Sequence, residues 1–344
     1  MTETLTIRRP DDWHVHLRDG EMLNLVAPYT ARQFARAIVM PNLVPPVTTV
    51  KQASDYRDRI RAAVGPQSDF EPLMTAYLTD TIDAEELARG HADGVFTAAK
   101  LYPAGATTNS ASGVTDVRNV YPVFERMAEV GMPLLIHGEV VSPEIDIFDR
   151  EKVFIDQILS KIVETFPTLK VVLEHITTED SVEFVKAAPA NVAATITAHH
   201  LRIDRNDILV GGIRPHMYCL PVAKRARHKH ALRQIITTGS EKFFLGTDTA
   251  PHERHAKESA CGCAGIFSAP TALESYAQTF EEMDALDKLE GFASLHGPRF
   301  YGLPLNEGTV TLERSGLDVP DKIDEAGLDV TPFHAGERLD WRMA

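Results

Sequence analysis

Eight short apolar runs alternate along the chain with amphipathic helical segments, and this alternation constrains the fold more than any other feature. The runs are rich in β-branched residues and lie near residues 12, 36, 72, 94, 133, 170, 192 and 242. The segments between them include 51–64, 117–130, 151–165 and 224–238, with charged faces and apolar residues at helical spacing. The pattern predicts repeated β-α units around a parallel sheet.

Eight such units match the number found in a (β/α)8 barrel, which takes roughly 250 residues. An open, doubly wound sheet is the alternative, but no G-x-G-x-x-G follows any of the runs. We therefore predict an α/β fold, a (β/α)8 TIM barrel with a short C-terminal extension. The 344 residues are expected to form a single domain over 1–344, with the barrel core at about 10–300 and the extension at about 303–344.

Composition limits the partners and the compartment. Lys and Arg total 35 against 49 Asp and Glu, a net charge of -14, and such a surface repels nucleic acid and anionic membranes. The start of the chain lacks the apolar core of a signal peptide, and no later apolar run approaches the roughly 20 residues of a membrane span. Three cysteines, an odd number, favour reduced thiols. We expect a cytoplasmic protein without membrane or nucleic-acid partners.

Five potential metal ligands lie at the ends of the predicted strands. His14 and His16 are two residues apart on the first run, so their side chains project to the same side. His137, His175 and Asp248 end the fifth, sixth and eighth runs. An isolated H-x-H is more often a pair of histidines in a half-buried strand. Because the carboxyl ends of barrel strands open into one mouth, the five together predict a metal site there.

Lys100 ends the fourth run and would point into the same mouth. Metal ions and desolvation both lower the pKa of a lysine, and a neutral amine can add CO2 to form a carbamate. The carbamate offers one oxygen to each of two metal ions about 3.5–4 Å apart. Taken alone, Lys100 is better explained as a strand-end lysine that reaches solvent. The ligands around it favour the carbamate.

Seven motifs together closely resemble the dihydroorotase family. They are H-V-H-L-R-D at 14–19, M-P-N at 40–42, A-A-K-L-Y-P-A-G-A-T-T-N-S at 98–110, L-I-H-G-E at 135–139, L-E-H-I at 173–176, R-P-H-M-Y-C-L-P at 214–221 and L-G-T-D-T-A-P-H at 245–252. The resemblance covers roughly 10–340 and is to the short bacterial (type II) class of the amidohydrolase superfamily. The early position of His14 favours that class over longer, hydantoinase-like relatives.

The resemblance implies two zinc ions. His14, His16 and Asp248 would hold one ion, and His137 and His175 the other. Lys100, carboxylated by CO2 to N6-carboxylysine, would bridge the two.

The resemblance also implies a substrate site. Arg18, Asn42 and His252 would bind a carboxylate, and the backbone near Leu220 and Ala264 would contact a pyrimidine ring. A guanidinium offers a fork that suits a carboxylate. The simpler alternatives are a rim ion pair between Arg18 and Asp19, and a turn role for Asn42.

The implied activity is that of a cyclic amidohydrolase, which interconverts (S)-dihydroorotate plus water and N-carbamoyl-L-aspartate in de novo pyrimidine synthesis. The partner is then a small-molecule substrate, and the family suggests a homodimer. One alternative is another ring-opening amidase, such as a hydantoinase or an allantoinase. The other is an inactive barrel kept as a scaffold, although every expected ligand is present.

Two further roles are predicted near the ligands. The loop at 103–113 is rich in small and hydroxyl residues, which suits a lid in which Thr107 and Thr108 donate hydrogen bonds. A merely flexible surface loop is the alternative. Asp248 has a second oxygen and is expected to carry a proton between nucleophile and leaving nitrogen, unless it only ligates metal. His228 and His230 are expected on a solvated helix face.

Overall fold

The structure is a computed structural model that describes residues 3–325 and 327–344. Its strands are β1 (Thr4–Arg8), β2 (Asp11–Val15), β3 (Arg36–Val39), β4 (Glu71–Tyr77), β5 (Phe96–Leu101), β6 (Leu134–Ile136), β7 (Val171–Leu173), β8 (Val192–Ile196), β9 (Phe243–Leu245), β10 (Thr309–Glu313), β11 (Leu317–Asp318), β12 (Ile323–Glu325), β13 (Leu328–Val330), β14 (Arg338–Leu339) and β15 (Arg342–Met343). Its helices are α1 (Gly20–Gln33), α2 (Val50–Val64), α3 (Ala84–Ala92), α4 (Tyr121–Val130), α5 (Arg150–Phe154), α6 (Ser160–Thr165), α7 (Glu179–Ala187), α8 (Ala198–Arg202), α9 (Arg205–Leu209), α10 (Ala226–Thr237), α11 (Arg254–Lys257), α12 (Ala272–Glu282) and α13 (His296–Tyr301).

Strands β2 to β9 form one parallel sheet in which each strand pairs with the next along the chain. The sheet closes where its first and last strands end. The backbone N–H of Asp248 donates to the carbonyl of His14 at 2.8 Å, and that of His16 donates to the carbonyl of Thr249 at 2.9 Å. All eight predicted runs are strands of this sheet, and the predicted (β/α)8 barrel is confirmed.

Large apolar side chains fill the interior of the barrel. The inner cluster contains Trp13, Ile38, Met40, Leu73, Ala98, Leu135, Val172, Ala193 and Phe244. The ring of Tyr301, on α13, stacks on Trp13 with centroids 4.3 Å apart, and Phe300 and Leu303 pack on the same cluster. This packing leaves the carboxyl ends of the strands as the place for a polar site.

The predicted helices are present, with two differences. The segment 151–165 is interrupted by a π-helical turn at Ile155–Leu159, where the hydroxyl of Ser160 donates to the carbonyl of Ile155 at 2.8 Å. His230 is exposed as expected, but the prediction of a solvated His228 is wrong. His228 is 4% exposed because its Nδ1 accepts a hydrogen bond from the backbone N–H of Glu179, at the start of α7.

The C-terminal extension forms small antiparallel sheets outside the barrel. β10 pairs with β1 and with β15, so the two ends of the chain share one three-stranded sheet. Trp341 is buried, and its indole N–H donates to Glu281 on α12 at 3.2 Å. These contacts support our proposal that the extension and the barrel form one domain. Within residues 3–325 and 327–344, no helix has the length and apolar character needed to cross a bilayer.

Candidate metal centre and active site

All six predicted metal ligands lie at the carboxyl ends of the barrel strands. His14 is in β2 and His16 just follows it, Lys100 is in β5, His137 directly follows β6, His175 lies two residues beyond β7, and Asp248 lies three residues beyond β9. Each of the six side chains is buried. The structure therefore brings the predicted ligands together at one end of the barrel.

Three of these ligands face one another at short range. The Nε2 atoms of His14 and His16 are 3.2 Å apart, and Oδ1 of Asp248 lies 3.3 Å from the first and 3.2 Å from the second. Burial disfavours a charged His14, but the carboxylates of Glu174 and Asp248 outweigh it and raise the pKa of His14 to about 9. Two imidazoles and a carboxylate in this arrangement are a donor set that suits zinc.

The ring of His175 connects this group to His137. Its centroid lies 4.9 Å from that of His14 and 5.0 Å from that of His137. Nδ1 of His175 is buried and has no hydrogen-bond partner among the residues that the structure describes. An unpartnered imidazole nitrogen beside a second histidine is suited to a second metal position.

Lys100 forms a buried ion pair with Glu174, which the sequence analysis did not select. The other oxygen of Glu174 lies 3.0 Å from Nδ1 of His14, within ion-pair distance. Burial lowers the pKa of Lys100, and the charge of Glu174 opposes that shift. The Nζ atom also lies 4.9 Å from the centre of the Tyr102 ring. Glu174 is therefore the counter-ion of the lysine that was predicted to carry CO2.

Asn42 connects His16, a predicted metal ligand, to the loop that is predicted to be a lid. Its Oδ1 accepts from Nδ1 of His16 at 2.9 Å, and its amide donates to the carbonyl of Thr108 at 3.0 Å. The side chain of Asn109 returns a bond to the carbonyl of Asn42 at 3.0 Å. The turn role considered for Asn42 does not account for these contacts, and its contact with a substrate stays a prediction.

The side chain of Arg18 faces the cleft and does not pair with Asp19. Asp19 pairs with Arg59 at 2.8 Å on the rim, whereas Arg18 donates from Nε to the carbonyl of Pro251 at 3.1 Å. Nε2 of His252 lies 3.0 Å from Nη2 of Arg18 and 3.0 Å from the carbonyl of Ala264. One nitrogen cannot both donate to the carbonyl and accept from Arg18. If it donates to the carbonyl, a guanidinium N–H stays free for a ligand.

One narrow cleft contains most of the predicted site. It is lined by His16, Arg18, Asn42, Tyr102, Thr107, Thr108, His137, His175, Cys219, Leu220, Asp248, Ala250, Ala264 and Gly265. Its volume is about 20 Å³, which is room for about one water molecule. The hydroxyl of Thr108 donates to the carbonyl of Ala264 at 3.3 Å across the cleft. Thr107 and Thr108 of the loop at 103–113 therefore line the cleft.

The backbone is left-handed at three residues of the site. The φ angles are 60° at Arg18, 41° at His175 and 47° at Asp248. Regular strand alternation would send Glu174 and His175 to opposite faces, but here both contact the ligand group. Such conformations are unusual for residues other than glycine and cluster at functional sites.

The sequence analysis missed the outer partners of the ligands. Glu174 and Glu139 both lie in motifs that contain a predicted ligand histidine, and each contacts such a histidine: Glu174 lies within ion-pair distance of His14, and Glu139 accepts a hydrogen bond from His137. A carboxylate one or two residues from a histidine was the available signal. Cys219 also lines the cleft, in the motif at 214–221.

Comparison with known proteins identifies the family to which this fold and this group of residues belong. The model of the amidohydrolase family matches residues 11–313. A protein of Sphingopyxis alaskensis named dihydroorotase is 68% identical over the whole of both chains. The chain belongs to the dihydroorotases of the amidohydrolase family.

Solved structures of dihydroorotases have the same fold. That of Campylobacter jejuni superposes with a TM-score of 0.92 at 37% identity, over 100% of this chain and 98% of that one. That of Saccharomyces cerevisiae, in complex with 5-fluoroorotic acid, has a TM-score of 0.92 at 34% identity, over 99% and 98%. Amidohydrolases are typically metal-dependent, and the described residues of this family member contain three clusters of suitable donors: His14 with His16 and Asp248, His14 with Glu174 and His175, and His199 with His200 and Cys219.

Proposed function

We infer that the protein interconverts (S)-dihydroorotate plus water and N-carbamoyl-L-aspartate, a step of de novo pyrimidine synthesis. The observation that carries this assignment is one cleft that combines the histidine-rich ligand group with Arg18. The ligand group suits hydrolysis of a cyclic amide, and the guanidinium suits the carboxylate that distinguishes dihydroorotate from a plain cyclic ureide. The yeast relative was solved with a ring that carries an acid group, 5-fluoroorotic acid.

We assign two zinc ions to the centre. His14, His16 and Asp248 would hold one ion, His137 and His175 the other, and carboxylated Lys100 would contribute an oxygen to each. Four imidazoles and a carboxylate favour zinc over Mg2+ and Ca2+, which prefer oxygen ligands. Bound zinc supplies activated water and polarises the ring carbonyl. The lowered pKa of Lys100 favours the neutral amine that reacts with CO2.

Asp248 is assigned to move the proton. Burial opposes its ionisation, but His14 and the neighbouring histidines hold its pKa well below the usual range. The ionised carboxylate takes the proton from the attacking water, whose oxygen bonds to the ring carbonyl carbon. As the carbon–nitrogen bond breaks, the same proton passes to the departing nitrogen. The products of this step are a ureido group and a carboxylic acid, which ionises to a carboxylate by releasing the second proton of the water to solvent.

Arg18, Asn42 and His252 are assigned to the substrate carboxylate, and the backbone of Leu220 and Ala264 to the ring edge. Burial, together with the charges of Arg18 and Lys257, lowers the pKa of His252 to about 3. His252 is therefore neutral, and Arg18 supplies the positive charge for the carboxylate.

The loop at 103–113 is assigned as a lid. A space of about 20 Å³ is too small for a six-membered ring, so the loop must open for the substrate to enter. When it closes again, Thr107 and Thr108 are in position to donate hydrogen bonds and exclude water.

A metal count together with a ring-opening assay tests the assignment. We expect two zinc ions per chain and rapid turnover of dihydroorotate, with hydantoin a poor substrate because it has no carboxylate for Arg18. Faster turnover of hydantoin would support the hydantoinase alternative. A purified, zinc-loaded protein that hydrolyses neither compound would support the scaffold.

The subunit arrangement and compartment are also proposals. A homodimer rests on the family resemblance, and sedimentation equilibrium measures it directly. The three free cysteines and the biosynthetic reaction suit the cytoplasm.

A further inference from the structure

The ligand histidines differ in which ring nitrogen is occupied by an outer partner. Asn42 accepts from Nδ1 of His16, and a carboxylate oxygen of Glu174 lies 3.0 Å from Nδ1 of His14, so Nε2 of both rings is left for a metal. Glu139 instead lies 2.9 Å from Nε2 of His137. A carboxylate only accepts, so this nitrogen carries the proton and Nδ1 keeps the lone pair. Glu139 thus determines which atom of His137 is available as a ligand.

Glu139 is a buried carboxylate with little else to hold it. It is 2% exposed, and its Oε1 has no hydrogen-bond partner in the described part of the chain. The nearest cation is Lys224, whose Nζ lies 4.0 Å from that oxygen and donates to the carbonyl of Val222 at 2.9 Å. An unpaired carboxylate is costly to bury, so Lys224 is the counter-ion that makes this position of Glu139 tolerable.

The charge of the same lysine also acts on a second buried carboxylate, Glu151. Burial disfavours ionisation of Glu151, but Lys224 and the hydroxyls around it lower its pKa. Glu151 accepts from the backbone N–H groups of Thr177 and Thr178 at 3.0 Å each, in the segment that follows His175. Lys224 therefore serves one carboxylate that orients His137 and another that anchors the chain after His175.

We propose that Glu139, held by Lys224, is a positioning residue that sets the affinity of the His137–His175 position for its metal ion. The inference rests on the proposed two-metal centre. It predicts an asymmetry, because the His14–His16–Asp248 position has outer partners of its own and does not contact Glu139. Loss of an outer partner typically weakens metal binding by about 10–100-fold.

The test measures zinc affinity and does not depend on turnover. Glu139→Ala removes the acceptor, and Glu139→Gln keeps the shape but loses the charge. Each variant is loaded with zinc and titrated with a chromophoric chelator, which resolves a tighter and a weaker ion. We expect one of the two ions, that of the His137–His175 position, to be released about 10–100-fold more easily and the other ion to be unchanged. Lys224→Met should have a similar effect, and Lys224→Arg should largely retain wild-type affinity because it keeps the charge.

Glu144→Gln is the matched control, because Glu144 is an exposed carboxylate on the same loop. It should bind both ions as the wild type does. The inference is overturned if Glu139→Gln releases both ions at wild-type affinity, or if both ions weaken equally. If a thermal melt shows that Glu139→Ala does not fold, the zinc titration of Glu139→Gln decides whether the inference holds. A wild-type chain that binds no zinc contradicts the proposed function itself, and this inference with it.

Discussion

Lys100 and Glu174 form an ion pair in which both side chains are 0% exposed. In this pair the carboxylate of Glu174 neutralises the buried ammonium group of Lys100. A carbamate on Lys100 would place a second anion beside Glu174, which is costly unless cations lie between them. Carboxylation and metal binding should therefore depend on each other.

The first prediction concerns Lys100→Ala. The variant leaves Glu174 without its counter-ion and the two metal positions without a bridge, so zinc content should fall below two per chain. Activity should fall by more than the roughly 100-fold typical of an outer partner, because a direct ligand is lost. Short carboxylic acids in solution should restore part of both. Mass spectrometry of the native protein should show one added CO2. An unmodified Lys100 in a fully active protein with two metals would disprove carboxylation.

The second prediction separates ligation from proton transfer at Asp248. Asp248→Asn can still offer an oxygen to a metal but cannot accept a proton. It should keep zinc and substrate binding while kcat falls by about 10²–10⁴. In the wild type, ring opening needs the ionised carboxylate and ring closure needs the protonated one. The two directions should have opposite pH dependence around one apparent pKa. Near-normal turnover of the variant in both directions would leave Asp248 as a ligand only.

The sequence was sufficient to predict the barrel and to predict that the six proposed ligands lie at one end of it, because both depend on local patterns. Apolar periodicity identified the strands, and a side chain such as His137 at a strand end must face the mouth. The outer partners depend on backbone conformation that periodicity does not record. The left-handed φ of His175 brings Glu174 and His175 to the same group of ligands. The burial of His228 depends on packing against α7. The sequence offers a signal for Glu174, which is adjacent to a histidine, but none for the burial of His228.

The third prediction concerns the lid. Combined replacement of Thr107 and Thr108 by alanine removes the hydroxyl contact with the carbonyl of Ala264 and both donors to the substrate. We expect kcat to fall about tenfold or more with zinc content unchanged, because each lost hydrogen bond costs roughly 0.5–1.5 kcal/mol. Ser112→Ala, at an exposed position of the same loop, is the control. Wild-type kcat and KM in the double variant would argue for a passive surface loop.

The fourth prediction assigns the carboxylate anchor. Arg18→Lys keeps the charge but loses the fork, and hydrogen bonds to charged groups are worth about 1.5–3 kcal/mol. KM for dihydroorotate should rise about 10–100-fold with both metals still bound. Arg59→Lys changes an arginine that pairs with Asp19 on the rim and should have little effect. If Arg18→Lys binds normally and His252→Ala does not, His252 is the anchor.

The fifth prediction concerns Glu151 and acid stability. Because its folded pKa is lowered from 4.5, its contribution to stability is present above pH 4.5 and is lost as the pH falls through the folded value. Glu151→Gln should lower the free energy of unfolding at neutral pH by about 1.5–3 kcal/mol. Urea titrations of the zinc-loaded proteins should show the difference shrinking below pH 4.5. A difference that stays constant on acidification would mean that the charge of Glu151 is not what stabilises the segment.

The barrel closes through a hydrogen bond between His14 and Asp248, and this bond determines the order in which the protein can mature. During translation His14 is synthesised near the beginning of the chain and Asp248 only after β9. Until then β2 has one unpaired edge, which a nascent parallel sheet exposes to aggregation. Because the proposed metal centre needs both His14 and Asp248, a chain stalled before β9 would lack a complete centre.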